Sequence, residues 1–68
     1  MEDNWAKVYS SPYLYEIELI KGLLSENEIE SVALDKQDSA YHFGVIELYV
    51  KVEEAFRAKQ LIEKSQSE

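Results

Sequence analysis

The sequence predicts one α+β domain of strand–helix–strand–strand–helix order. Three observations carry that reading. Tyr13, Ile17, Ile20 and Leu24 recur at spacings of four, three and four, the stripe of an amphipathic helix. From Val45 to Lys51, residues Ile46, Leu48 and Val50 alternate with Val45, Glu47 and Tyr49, the period of a strand with two unlike faces. The chain has 68 residues, 46% of them hydrophobic, which supports one packed core and no second one.

The elements follow in order. Trp5 to Ser10 reads as a strand, because it is short and rich in aromatic and β-branched residues. Strict alternation puts Ala6 and Val8 on one face and Trp5, Lys7 and Tyr9 on the other. Ser10-Ser11-Pro12 marks a helix start, with Ser11 as N-cap and Pro12 at the first helical position. The helix runs to about Glu26. Leu19 and Leu23 widen its apolar stripe, and Glu16, Glu18 and Lys21 lie toward solvent. Gly22 falls inside the helix, where glycine costs roughly 1 kcal/mol against alanine, so it points to close packing there. Asn27 suits a left-handed cap.

Ile29 to Lys36 reads as a second strand, with Val32 and Leu34 inward. The polar segment Gln37-Asp38-Ser39-Ala40-Tyr41-His42-Phe43 follows and ends at Gly44. After the third strand, Val52 to Lys64 forms a second helix. The acidic pair Glu53-Glu54 opens it at the positive end of its dipole, and Ala55, Ala58, Leu61 and Ile62 form its inner stripe. The domain therefore spans residues 5–64, between a disordered N-terminus at 1–4 and a polar tail at 65–68.

A strand–helix–strand unit in one sheet makes a right-handed crossover. Placing the third strand between the first two gives a three-stranded antiparallel sheet with two helices on one face. That is the ferredoxin-like βαββα plan with its fourth strand missing. The first strand then keeps an unpaired edge. The helix-free face carries Trp5, Tyr9, Val45 and Tyr49, with Lys7 and Glu47 among them. Four apolar residues on one open face imply a surface that something covers. A homodimer through that face or through the strand edge is the expected form.

Charge and composition exclude several classes. Acidic residues outnumber basic ones by 14 to 7, for a formal charge of −7, so no nucleic acid and no anionic membrane surface is expected as a partner. Met1-Glu2-Asp3-Asn4 is acidic and no apolar run follows it, which is not a signal peptide, and no apolar run is long enough to span a bilayer. The absence of cysteine excludes disulfides and thiolate chemistry and is compatible with the cytoplasm.

Several segments together are similar to a known family. They are Trp5-Ala6-Lys7-Val8-Tyr9-Ser10, Tyr15-Glu16-Ile17-Glu18-Leu19-Ile20-Lys21-Gly22-Leu23-Leu24, Asp35-Lys36-Gln37-Asp38-Ser39 and Gly44-Val45-Ile46-Glu47-Leu48-Tyr49-Val50. They resemble a family of small bacterial domains of unknown function, described as putative signal-transducing proteins and similar in fold to the nitrogen-regulatory P-II proteins. The resemblance spans about residues 5 to 64 and brings no catalytic or ligand motif. It implies a P-II-like fold in a bacterial cytoplasm, with residues 37 to 43 in the place of the P-II effector loop. Two positions depart from the family's pattern. Glu28 stands where glycine is frequent, and Val52 where proline is frequent. Two glycines and scattered basic residues give no support to nucleotide binding of the P-II type.

His42, with Asp35 and Asp38 near it in sequence, matches no metal-ligand spacing and reads as a loop histidine. Ser39 with His42 lacks an orienting acid and an oxyanion hole, so it reads as a turn serine. Tyr41 and Phe43 read as loop aromatics that fold back on the core or anchor a partner. No catalytic residue, metal ligand or cofactor site is expected. The function expected is a non-enzymatic binding or regulatory module that meets a protein or a small effector. It would use the loop residues Gln37, Asp38, Ser39, Tyr41, His42 and Phe43, and the open face with Trp5, Lys7, Tyr9, Val45, Glu47 and Tyr49. The alternative is a structural protein for which self-assembly through that face or edge is the main role.

Overall fold

The computed structural model describes residues 4–36 and 44–66. The order is β1 (Trp5–Ser11), α1 (Leu14–Glu26), β2 (Ser31–Asp35), β3 (Ile46–Lys51), a 3-10 turn (Val52–Glu54) and α2 (Ala55–Gln66). The sheet is antiparallel with strand order β1-β3-β2, so the last strand in sequence is the central one. Ile17, Ile20 and Leu24 of α1 and Ala58 and Ile62 of α2 join Ile46, Leu48 and Val50 of β3 in one buried cluster. Both helices therefore lie on the same face, and the architecture is the ferredoxin-like βαββα arrangement.

β1 departs from strict alternation. Trp5, Ala6 and Lys7 stand opposite Lys51, Val50 and Tyr49, but Tyr9, Ser10 and Ser11 stand opposite Leu48, Glu47 and Ile46. Val8 is the extra residue of a β-bulge, and every side chain after it changes face. Tyr9 consequently joins Leu48 on the helix side and packs against the core, not on the open face. The bulge also turns Ser11 inward, where it is almost fully buried beside the start of α1.

The helix start differs from the expected cap. Tyr13 holds the N-cap position with extended backbone, and Pro12 precedes the helix instead of opening it. Ser11 still serves this turn from two residues away. Its hydroxyl accepts from Tyr13 N at 3.0 Å and donates to a Glu16 carboxylate oxygen. The Tyr9 hydroxyl reaches the same oxygen at 3.4 Å, so Glu16 is tied to β1 and not left to solvent. With the helix starting one residue after it, Tyr13 leaves the core stripe and is exposed.

The far end of α1 closes in a Schellman motif. Ile29 N donates to Leu24 O at 2.8 Å and Glu28 N to Ser25 O at 3.0 Å. The hydrophobic contact typical of the motif is present, since Leu24 and Ile29 are both buried in the core. The left-handed residue is Glu28, with φ 63°, and not Asn27, whose φ is −101°. Glycine is favoured at this position because it has no Cβ to clash, and this chain places glutamate there.

Two further expectations are corrected. In β2, Ser31, Ala33 and Asp35 stand opposite Val50, Leu48 and Ile46, so these residues share the helix side. Val32 and Leu34 stand opposite Tyr49 and Glu47 and lie on the open face. Gly22 is exposed, and a Cβ at this position would meet nothing within 4 Å among the described residues. At the chain's end, α2 continues through Gln66, whose side-chain amide donates to the Tyr9 hydroxyl at 3.0 Å. Asn4 is also tied down, since its carbonyl accepts from Val52 N at 2.8 Å. Proline at position 52 would have no N–H for that bond.

Candidate functional site

The free face of the sheet is assembled from all three strands. β1 supplies Trp5 and Lys7, β2 supplies Val32 and Leu34, and β3 supplies Glu47, Tyr49 and Lys51. The apolar members surround one carboxylate. Glu47 sits on the central strand with its side chain 14% exposed, while the lysines that meet it are about half exposed. The Tyr49 hydroxyl donates to Glu47 Oε1 at 2.8 Å. Lys7 Nζ lies 3.5 Å from Oε2, and Lys36 Nζ lies 3.5 Å from Oε1. Lys7 comes from β1 and Lys36 directly follows β2, so one carboxylate of β3 links the three strands across the face.

The electrostatics follow from these contacts. The Tyr49 hydroxyl holds the Glu47 carboxyl below its ordinary value, chiefly by donating to the charged form, and the two lysines add to this against partial burial. The same bond pushes the Tyr49 hydroxyl up, because ionising it would set a phenolate against the carboxylate. Glu47 is thus a fixed anion at neutral pH, and a poor proton acceptor. At the edge of the face, Lys51 Nζ stands 5.9 Å from the Trp5 ring centroid, a cation–π distance.

Of the residues anticipated for this face, Trp5, Lys7, Glu47 and Tyr49 are brought together there. Val45 precedes β3 and is half-buried, and its carbonyl accepts from Lys36 N at 3.1 Å. Tyr9 is on the opposite side. Gln37, Asp38, Ser39, Tyr41, His42 and Phe43 lie outside the described residues. Sequence reasoning missed Val32, Leu34, Lys36 and Lys51. The only signal for them was strand register.

A second uncovered surface lies on α1. Tyr13, Leu14, Tyr15 and Leu19 are 55–69% exposed, and the rings of Tyr13 and Tyr15 stand 5.7 Å apart. Among the described residues, no group of three His, Cys, Asp or Glu side chains is placed to hold a metal, and no helix is long and apolar enough to cross a membrane.

No curated protein and no solved structure matches the chain. A family model does, over residues 5–66, which takes in all three strands, both helices and every residue of the open face. The chain belongs to the family described as "putative prokaryotic signal transducing protein".

Proposed function

We propose that this domain is a non-enzymatic regulatory module that acts by docking through the helix-free face of its sheet. One observation carries the reading. A 68-residue chain places Trp5, Val32, Leu34 and Tyr49 on one face and spends both helices on the other. Val32 and Leu34 remain 38% and 37% exposed, although β-branched and aliphatic side chains of this kind normally go to a core. The polar groups among them are already paired, so a partner can cover Glu47 without leaving its charge unmatched. A carboxylate held ionised by a hydroxyl and two ammonium groups suits a positioned anchor better than a general acid or base.

The family description supports a regulatory role in general. The finer reading is a bacterial cytoplasmic module whose signal passes by occupancy of this face, by another protein or a second copy. Site-specific photo-crosslinking in a bacterial cell tests it. A benzoylphenylalanine at Leu34 is expected to give discrete adducts, and one at the exposed Gln60 of α2 none. Equal labelling from both positions, or none from position 34, would refute it.

A further inference from the structure

Among the described residues two surfaces have no internal partner, and their chemistry matches. On α1, Tyr15, Leu19 and Gly22 follow at i, i+4 and i+7, on the side away from Ile17, Ile20 and Leu24. Tyr15 and Leu19 are 64% and 69% exposed. Gly22 weakens the helix yet faces open space, so nothing among the described residues accounts for it. In α2 the small residue Ala58 is fully buried in the core with Ile46, Leu48 and Val50 of the sheet. Gly22 gives the outer side of α1 a capacity for close approach to a flat surface.

Charge selects the flat surface. The open sheet face carries Lys7, Lys36 and Lys51 against Glu47. Continuing the β2 register by one residue sets Glu30 across from Lys51, and the face is still more basic than acidic. This is unusual in a chain of net charge −7. The outer side of α1 carries Glu18 and Glu26, both exposed, with Lys21 on its flank. An apolar, acidic helix side and an apolar, basic sheet face are complementary.

We propose that the open sheet face of one copy receives the outer side of α1 of a second copy. This rests on the reading of the face as a docking surface and names its occupant. Symmetric alternatives fit less well. Stacking two sheet faces brings together two surfaces of the same net positive charge, packing α1 on α1 brings together two acidic ones, and the bulge at Val8 bends the β1 edge out of a regular ladder. The contact is head-to-tail, so it closes into a ring or runs on as a chain of copies.

The test uses two variants and their mixture, with mass followed by sedimentation over a wide concentration range. Val32→Glu alters the sheet face only, and Tyr15→Gln with Leu19→Gln alters the helix side only. All three positions are exposed, and unchanged far-ultraviolet dichroism and melting of each variant at low concentration establish that it folds. The wild type is expected to grow in mass beyond a dimer as concentration rises. Each variant alone is expected to self-associate at least roughly tenfold more weakly, the scale of losing a central apolar anchor. Mixed in equal amounts, the two are expected to form a one-to-one complex, because each retains the surface the other lacks. A wild type that stays monomeric, a mixture that stays monomeric, or association that stops at a dimer and responds to only one variant would each overturn the proposal. The crosslinking at position 34 reports separately on whether the face is occupied by anything at all.

Discussion

Replacing Glu28 by glycine is expected to stabilise the domain, although it removes a side chain. Glu28 has φ 63° at the left-handed position of the Schellman motif that ends α1. An L-residue there carries roughly 1–2 kcal/mol of steric cost, because its Cβ crowds the next carbonyl. Glycine removes that cost but has more freedom to lose on folding, worth roughly 0.5–1 kcal/mol in the other direction. Glu28 also places a negative charge at the negative end of the helix dipole, and losing it adds a few tenths of a kcal/mol. The sum is a gain of about 1 kcal/mol, or roughly 4–8 °C in melting temperature for a domain of this size. Urea and thermal unfolding of wild type, Glu28→Gly and Glu28→Ala separate the causes. Alanine removes the charge and keeps the Cβ, so it is expected to recover only the electrostatic tenths. A Glu28→Gly protein no more stable than Glu28→Ala would refute the backbone argument.

Gly22→Ala is expected to raise stability by about 0.8–1 kcal/mol at low protein concentration, read by urea unfolding, because the new methyl meets open space and the helix gains propensity. Ser11→Ala is expected to cost about 1–2 kcal/mol in the same assay, since it leaves Tyr13 N without its acceptor in a nearly buried site and unties Glu16 from β1. Tyr49→Phe is expected to raise the Glu47 pKa, measured by titrating its side-chain carboxyl by NMR, because the largest cause of its depression is removed. The folded state lowers this pKa, so its stabilisation is present above the unfolded value of about 4.3 and is lost as pH falls through the folded value. Stability of the variant should therefore fall less steeply on the acid side than that of the wild type.

The order of elements, the core stripe of Ile17, Ile20 and Leu24 and the inward set of β3 were legible in the sequence because each repeats a clean period. The face assignments in the edge strands were not. A bulge at Val8 inverts the second half of β1, and nothing in Trp5 to Ser11 announces an extra residue. β2 has its larger apolar residues, Val32 and Leu34, on the open face and only Ala33 toward the core, so reading the bigger side chains as buried gave the wrong phase. The same rule misplaced Leu19, which is apolar and helical but 69% exposed. Residues that serve an uncovered surface look like core residues to a hydrophobicity pattern, and only register tells them apart. Gly22 shows the converse: a glycine inside a helix signals close approach, yet no neighbour among the described residues makes one.

Trp5 is the only tryptophan in the chain and stands on the open face beside Lys51, so its fluorescence reports directly on whether that face is covered. Acrylamide quenching of Trp5, followed from low micromolar to near-millimolar protein, is the most direct measurement. If the outer side of α1 from a second copy occupies the face, the quenching constant falls as concentration rises and the emission shifts to the blue. In the Tyr15→Gln, Leu19→Gln variant, which retains an intact sheet face, both should stay at their dilute values. Quenching that is independent of concentration in the wild type, or that falls equally in the variant, would contradict the account.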